Sequence, residues 1–391
     1  MNVEKAFLEK HAPCYIYDRA LIESNCKTLT SALPQAHFLY SIKTNPFGPV
    51  LQLIAEQGFG GDAASSNEVL KSIAAGIEPD RVFYSSPGKT REDIDKVYGK
   101  CVFIADSIHE LEMLNSAAAE HGEVLEIGIR INPECSYSEH EGPSKFGIDE
   151  ELITDELLAG FPNLKLVGTH IHMRSQVLDA GMLVQYYERC YETAVKLNTL
   201  SAAEIRFINF GSGIGIVYDP ETQQDVDLSR LSEAFEMLSK KNAASLNAEF
   251  IIETGRFLVG NAGRYYTPIV DIKTSRGKKY LIVRNAAIGF LRPTFAYVLH
   301  ESAGGYPAVA REPFYTCENE FAVRVLNDNQ EKETVNLVGN LCTALDVILN
   351  DVSLNRAQIG DFIEITNAGS YAYSLSPVLF ASHDIPEEIL M

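Results

Sequence analysis

The sequence has few basic residues and no recognisable cysteine pattern. Lys and Arg number 33 against 53 Asp and Glu, so the formal net charge is −20. A chain this acidic repels nucleic acid and anionic membranes, and we expect neither as a partner. The seven cysteines are odd in number and include no C-x-x-C pair. The sequence therefore indicates neither a disulfide framework nor a zinc site, and we expect no metal.

Long apolar runs are also missing. No stretch of about 18 residues is apolar and uncharged throughout, so we expect no membrane span. The first residues, "MNVEKAFLEKHAPCYIYD", carry charges early and lack the continuous apolar segment of a signal peptide. Reduced thiols in a cytoplasmic protein are the simplest interpretation of the cysteines.

What the sequence does contain is a regular alternation of strand and helix patterns from residue 36 to 255. Short helical patterns such as 65–76 and 107–122 separate eight apolar, β-rich runs. The runs are 37–43, 58–64, 81–86, 101–105, 125–132, 166–173, 205–211 and 249–255. Short buried strands separated by helices predict a parallel sheet, and eight such units predict an α/β fold of the (β/α)8 TIM-barrel type.

The pattern changes after about residue 260. Runs at 265–285, 320–326, 334–339 and 361–369 read as strands with few helical patterns between them. The early run 14–18 could pair with these strands. We therefore predict a barrel over 28–262 and a C-terminal all-β domain, sandwich-like or barrel-like, formed by 1–27 and 263–391.

Polar residues stand at the carboxyl ends of the predicted barrel strands, where TIM barrels carry their chemistry. They are Lys43, Asp62, Ser85 and Ser86, Asp106, Arg130 and Asn132, His170 and His172, 209–213, and 253–256. Each alone can be explained as a strand end that meets water. Together they favour a catalytic mouth.

Three of these positions suggest a particular cofactor. The segment "NFGSGIG" (209–215) does not open into a helix as a dinucleotide loop would, but it follows strand seven, where barrels bind phosphate. Lys43 could form a Schiff base with an aldehyde. Glu253 could hold a pyridine nitrogen protonated, although a salt bridge to Arg256 would explain it equally well. An aldehyde that carries a phosphate and a pyridine ring is pyridoxal 5′-phosphate.

Motifs along the whole chain resemble the fold-type III pyridoxal phosphate-dependent decarboxylases, the family of diaminopimelate and ornithine decarboxylases. The similar segments are "YSIKTNP" (40–46), "GTHIHMRSQ" (168–176), "NFGSGIG", "IETGRFL" (252–258), "SKFGI" (144–148), "LRPTF" (291–295), "NLCTALD" (340–346) and "NAGSYAY" (367–373). The order of the motifs also agrees with the family.

The resemblance implies roles for individual residues. Lys43 would bind the cofactor covalently beside Asp62, His172 would stack on its ring, and Glu253 would pair with the ring nitrogen. The phosphate would be held by Ser175, Gly211, Ser212, Gly213 and Arg256, and Gly255 would also belong to the cofactor site. Tyr371 would approach the cofactor from the same chain. Cys342 would come from the partner chain of a homodimer with shared active sites and protonate the substrate carbanion.

Departures from the family pattern concern the substrate. Thr343 replaces the glutamate that follows the cysteine in diaminopimelate decarboxylases, and Ala296 replaces a tyrosine. Arg174 replaces the glycine before Ser175, while Arg292 is retained. Loss of a carboxylate partner for an ammonium group weakens selection for a diamino acid. We expect Arg174, Arg292, Thr343 and Asp346 to contact the substrate.

The "C-T-x-x-D" motif and the segment 374–390 are similar to decarboxylases of siderophore and aminoglycoside biosynthesis, which act on conjugated amino acids. We therefore predict a carboxy-lyase that decarboxylates a small-molecule amino acid, carboxylate-rich or conjugated, such as a citryl-diamino acid. Diaminopimelate decarboxylase is the first alternative. An amino-acid racemase or a non-catalytic pyridoxal phosphate-binding protein is the alternative of another class; Glu253 argues against the first and the additional β domain against the second.

Overall fold

The structure, a computed structural model, describes residues 3–133, 143–172, 174–305 and 313–391. The chain divides into two compact units. The barrel unit comprises Ser24–Gly215 and Asp225–Gly255, and the β unit comprises Met1–Glu23, Ile216–Gln224 and Arg256–Met391. The segment Ile216–Gln224, which lies inside the predicted barrel sequence, thus belongs to the β unit.

The strands, in chain order, are β1 (Cys14–Tyr17), β2 (Ala36–Ser41), β3 (Gly60–Ala63), β4 (Val82–Tyr84), β5 (Val102–Ala105), β6 (Leu125–Asn132), β7 (Ile148–Asp149), β8 (Leu164–His170), β9 (Ala203–Asn209), β10 (Glu249–Thr254), β11 (Gly263–Ser275), β12 (Lys278–Val283), β13 (Val323–Leu326), β14 (Lys332–Gly339), β15 (Val347–Asn355), β16 (Phe362–Ile365) and β17 (Glu387–Leu390). The α-helices are α1 (Lys5–His11), α2 (Arg19–Ala32), α3 (Gly48–Glu56), α4 (Ser66–Ala74), α5 (Arg91–Val97), α6 (Ile108–His121), α7 (Asp155–Ala159), α8 (Ala180–Leu197), α9 (Leu228–Ala243), α10 (Arg256–Val259) and α11 (Leu291–Ala303).

Eight strands of the barrel unit form a closed parallel sheet, which confirms the predicted barrel. The order is β5-β4-β3-β2-β10-β9-β8-β6, and β5 pairs with β6 to close it. Seven helices, α3 to α9, lie between these strands in the sequence. The pattern at 65–76 forms helix α4, and the Ser65 side chain caps its start by accepting the backbone N–H of Glu68.

Apolar side chains from six strands fill the inside of the barrel. They are Leu39, Phe83, Ile104, Val167, Phe207 and Ile251, all buried. Gly168 on β8 makes room for one of them, since a Cβ at this position would lie 2.0–2.3 Å from the Phe207 ring. The centre of the barrel is thus a packed core, and only the strand ends are available for chemistry.

The β unit contains a mostly antiparallel sheet in the order β13-β16-β11-β12-β14-β15, as expected. Strand β1 joins it by antiparallel pairing with β11, as the sequence suggested. Two pairings are parallel, β12 with β14 and β1 with β17. Helix α11 was not anticipated, although Pro293 in its first turn and Gly304 at its end, with φ +69°, are ordinary helix boundaries.

None of the helices in the described ranges is both long enough and apolar enough to cross a bilayer.

Candidate active site

The carboxyl ends of the barrel strands bring the predicted polar residues to one edge of the sheet. Lys43 follows β2, Asp62 lies in β3, Ser85 follows β4, Asp106 follows β5, Arg130 lies in β6, His170 ends β8, Asn209 ends β9 and Glu253 lies in β10. Seven of these eight residues are buried, and Lys43 is the exception.

Lys43 does not end the strand, as the sequence suggested, but lies in a single 3-10 turn, Ile42–Thr44, directly after it. Its side chain is 47% exposed, and Nζ lies 3.4 Å from Oδ2 of the buried Asp62. Gly255 allows this turn to approach, because a Cβ there would lie 2.5 Å from the Thr44 hydroxyl. The turn therefore presents an amine beside a fixed carboxylate.

Two hydroxyl groups from neighbouring strands hold Asp62. Ser41 donates to Oδ2 at 2.8 Å and Ser85 donates to Oδ1 at 2.8 Å. Both bonds are buried. With each oxygen fixed by a donor, the carboxylate cannot rotate away from Lys43.

Glu253 is buried, and two side chains lie close to one of its oxygens, Oε1. Asn209 Nδ2 donates to Oε1 at 2.9 Å, and His170 Nε2 lies 3.2 Å from the same atom. Burial alone would raise the pKa of Glu253, but the His170 imidazole, and Lys43 more weakly, outweigh it and lower the pKa. Oε2 has no hydrogen-bond partner among the described residues.

The glycine loop, residues 211–215, follows β9 and lies against His172. The Ser212 N–H donates to His172 Nδ1 at 3.0 Å, and His172 Nε2 lies 3.3 Å from the Ser175 hydroxyl. Burial and, next, the Arg130 guanidinium lower the pKa of His172 to about 3. The imidazole is therefore neutral, with Nδ1 as acceptor and the proton on Nε2.

The backbone of this loop could accept an anion. Gly211 has φ +64°, and a Cβ there would lie 2.5 Å from the Ile171 carbonyl oxygen. The N–H groups of Gly213 and Ile214 have no acceptor within the described ranges. Two adjacent free N–H groups in a glycine-rich turn form a concave donor site of the kind that binds phosphate.

Two further charged pairs lie at the ends of β4, β5 and β6. Arg130 Nη1 is 3.6 Å from Asp106 Oδ1, and its guanidinium lies over the Phe146 ring at 4.4 Å. Lys89 is buried and donates to Glu110 Oε2 at 2.8 Å. Glu110 also accepts the N–H of Asp106 at 2.9 Å, so this pair fixes the backbone at the end of β5.

Arg256 and Tyr371, predicted to bind the cofactor, lie together in the β unit. The Arg256 guanidinium is buried 5.1 Å from the centre of the Tyr371 ring and donates to the Tyr218 hydroxyl. Burial alone would raise the pKa of Tyr218, but Arg256 and Arg292 outweigh it and lower the pKa. Their roles toward a cofactor stay predictions.

The predicted substrate residues differ in accessibility. Cys342 and Thr343 are exposed on the loop 340–346, and Arg174 is exposed on the loop after β8. Arg292 is 1% exposed, is paired with Glu320 and donates to the Ser370 carbonyl at 2.8 Å. Asp346 is 2% exposed. Contact of Arg292 or Asp346 with a substrate stays a prediction.

Several residues of this network received no role from the sequence. Arg130, His170 and Asn209 were recognised only as polar strand ends, whereas Ser41, Lys89 and Glu110 gave no signal. The partner of Glu253 considered in the sequence was Arg256, but its contacts in the barrel unit are Asn209 and His170. Residue type at a strand end predicts location, and it does not predict which neighbouring strand supplies the partner.

Comparison with known proteins shows the family of this chain. Residues 19–260 match the family model described as "Pyridoxal-dependent decarboxylase, pyridoxal binding domain". Diaminopimelate decarboxylase of Zymomonas mobilis is 26% identical over 394 residues, 97% of this chain and 87% of the relative. The 2-[(L-alanin-3-ylcarbamoyl)methyl]-2-hydroxybutanedioate decarboxylase of Staphylococcus aureus is 28% identical over 402 residues, 100% of this chain and 96% of the relative.

The fold of the chain also matches that of a solved decarboxylase structure. Diaminopimelate decarboxylase from Helicobacter pylori, complexed with L-lysine, superposes with a TM-score of 0.82 at 25% identity, over 99% of this chain and 94% of that chain. Residues 19–260, which match the family model, include Lys43, the glycine loop and Glu253 of this chain. The chain belongs to the pyridoxal-dependent decarboxylase family, and it is an amino-acid decarboxylase that uses pyridoxal 5′-phosphate.

Proposed function

We propose that this decarboxylase acts on an amino acid conjugated to a carboxylate-rich group, such as a citryl-diamino acid. The observation that carries the proposal is that backbone N–H groups occupy both oxygens of Asp346, the only carboxylate in the loop 340–346. Its Oδ1 accepts the N–H of Ala287 and its Oδ2 accepts the N–H of Leu341, both at 2.8 Å. The loop therefore offers no free carboxylate to the distal ammonium group of a diamino acid.

Two exposed residues support the same substrate class. Thr343 has no charge, so it can accommodate an amide or a hydroxyl at the place where the resemblance puts an amine-binding glutamate. Arg174 adds an exposed guanidinium beside Ser175. A guanidinium pairs well with carboxylates, of which a hydroxybutanedioate group carries two.

The barrel unit suits the cofactor at three points. Oε2 of Glu253 has no hydrogen-bond partner among the residues that the structure describes, and it belongs to a carboxylate that is ionised, as a protonated ring nitrogen requires. The free N–H groups of Gly213 and Ile214 suit a phosphate. The half-exposed Lys43 presents an amine for the aldehyde. We infer that these residues hold pyridoxal phosphate, with His172 against its ring.

When bound, pyridoxal phosphate withdraws electrons from the Cα of an attached amino acid, so that the bond to the α-carboxylate can break. Asp62, whose Oδ2 lies 3.4 Å from Lys43 Nζ, would keep the Lys43 ammonium at the site. Glu253 keeps a proton on the ring nitrogen. Loss of carbon dioxide leaves an electron pair at Cα, and Cα must receive one proton to give the amine product.

We infer that the thiol of Cys342 supplies this proton from a second copy of the chain. The thiol is exposed, and the neighbouring Leu345 is an exposed apolar side chain, 62% accessible. An exposed thiol next to an apolar residue suits a surface that another subunit covers. Sedimentation at micromolar concentration tests this assembly, and a monomer that retains full activity would contradict it.

The substrate proposal is tested by carbon dioxide release from two candidates. The purified protein, loaded with pyridoxal phosphate, is given meso-diaminopimelate or the amide of 2,3-diaminopropionate with citrate. We expect release from the conjugate and at least tenfold slower release from diaminopimelate. Vigorous release from diaminopimelate, with lysine as product, would refute the proposal and favour a diaminopimelate decarboxylase with an altered pocket.

Variants at two positions sharpen the test. Thr343→Glu should increase the relative rate with diaminopimelate, whereas Thr343→Gln, of similar size and without charge, should not. Arg174→Gln should raise the KM for the conjugate more than the KM for diaminopimelate, because the conjugate has two carboxylates beyond its α-carboxylate and diaminopimelate has one. Equal effects of the two Thr343 variants would show that size, and not charge, matters there.

A further inference from the structure

A single buried side chain connects two parts of the barrel site. Asn209, at the end of β9, is fully buried. Its Nδ2 donates to Glu253 Oε1 at 2.9 Å, and its Oδ1 accepts the N–H of Gly211 at 2.8 Å. The same two neighbours also bond to each other, because the Glu253 N–H donates to the Gly211 carbonyl at 2.8 Å. The carboxylate and the start of the glycine loop are therefore fixed together.

The residue type is suited to this position. An amide has a donor and an acceptor at the end of one short side chain, so it can bond a carboxylate on one side and an N–H group on the other. A carboxylate in its place would repel Glu253, and an apolar residue would remove one donor from Glu253 Oε1 and leave the Gly211 N–H without its acceptor. Asn209 satisfies both without adding charge.

The bonds also determine which loop donors remain for a ligand. Asn209 uses the N–H of Gly211, and His172 Nδ1 uses the N–H of Ser212. Those of Gly213 and Ile214 have no acceptor in the part of the chain that the structure describes. The first two amides of the loop thus fix its shape, and the next two are available.

We propose that Asn209 is a positioning residue that couples the two ends of the cofactor site, the Glu253 carboxylate for the ring nitrogen and the glycine loop for the phosphate. The inference rests on the proposed cofactor roles of Glu253 and the loop. It assigns to one side chain the spacing between the two groups that would hold the two ends of the cofactor.

The test compares the affinities of three ligands that share the aldehyde captured by Lys43. They are pyridoxal phosphate, pyridoxal, which lacks the phosphate, and 1-deazapyridoxal phosphate, which lacks the ring nitrogen. Dissociation constants are measured by equilibrium dialysis for the wild type and for Asn209→Leu. The ratio of the constants for pyridoxal and pyridoxal phosphate measures the preference for the phosphate. The ratio for 1-deazapyridoxal phosphate and pyridoxal phosphate measures the preference for the ring nitrogen. Neither ratio requires a measurement of activity.

We expect both preferences of the wild type, for the phosphate and for the ring nitrogen, to fall about tenfold in Asn209→Leu, as loss of a hydrogen bond to a charged group implies. A fall of only one preference would mean that Asn209 serves one end, and it would overturn the coupling. Unchanged ratios would leave Asn209 a purely structural residue and overturn the inference entirely.

Two controls separate the possible failures. Asn242 is a buried amide that bonds the N–H and carbonyl of Ala248, away from the site residues, and Asn242→Leu should destabilise the fold without changing either ratio. Asn209→Ser is the smaller change if the leucine variant does not fold. If the wild type shows no preference for the ring nitrogen, the role of Glu253 is refuted, and with it the proposed cofactor site. This outcome does not depend on the results for the Asn209 variants.

Discussion

The Nε2 atom of His170 lies 3.2 Å from Oε1 of Glu253. Both side chains are buried, His170 at the end of β8 and Glu253 near the end of β10, on either side of β9. The imidazole is the main reason that the pKa of this glutamate is lowered in spite of burial. A buried carboxylate that loses the basic side chain beside it keeps more of the cost of its burial.

His170→Phe should therefore destabilise the cofactor-free protein by about 3 kcal/mol at neutral pH, measured by urea unfolding. Because the pKa of Glu253 is lowered on folding, its stabilising contribution is present above the unfolded value of about 4.3 and is lost as the pH falls through the folded value. The difference between wild type and variant should thus shrink in acid. His109→Phe, at an exposed position paired with Glu112, is the control and should have no measurable effect.

His172 should stay neutral under ordinary conditions, since burial and Arg130 lower its pKa to about 3. We expect its imidazole 15N resonances in the cofactor-free protein, assigned with His172→Asn, to show the Nε2–H form and no titration between pH 5 and 8. The unfolded chain binds a proton at this residue below about pH 6.5, so the residue favours unfolding as the pH falls below that value. A titration midpoint near 6.5 would contradict the contacts with Ser212 and Ser175.

Much of the barrel was predictable because its strands are short, apolar and separated by helices with ordinary caps. Lys43 was expected at the end of a strand, and the structure places it one turn further, where the bond from the Asn45 N–H to the Ile42 carbonyl replaces strand pairing. That difference arises from a local hydrogen bond which the apolar pattern does not contain. The eight strand assignments did not depend on it.

The partners within the site were less predictable, for a physical reason. Asp62 is held by Ser41 and Ser85, which are 21 and 23 residues away in the sequence, and Glu253 by Asn209, which is 44 away. Such contacts depend on strand register, and a single sequence does not specify register between parallel strands. Helix α11 was not predicted, although Pro293 in its first turn and Gly304 at its end are ordinary helix boundaries.

Lys43→Ala should abolish the visible absorption band of lysine-bound pyridoxal phosphate, because Lys43 supplies the amine that we assign to the aldehyde. Lys71→Ala, at an exposed position on α4, is the matched control and should retain the band. Borohydride should fix the cofactor to the wild type and to the control, but not to Lys43→Ala. A variant without Lys43 that is still labelled would refute the assignment.

The Lys89–Glu110 pair should behave as a unit. Burial lowers the pKa of Lys89 and the carboxylate of Glu110 opposes this, so removal of either charge alone leaves the other buried without its counterion. Lys89→Met should cost about 3–5 kcal/mol in urea unfolding, and the double variant Lys89→Met with Glu110→Gln should cost less than the sum of the single changes. The exposed Lys278–Asp351 pair, changed in the same way, should show no measurable coupling. Additive effects at Lys89 and Glu110 would mean that the backbone bonds from Glu110 to the end of β5, and not the ion pair, hold this part of the barrel mouth in place.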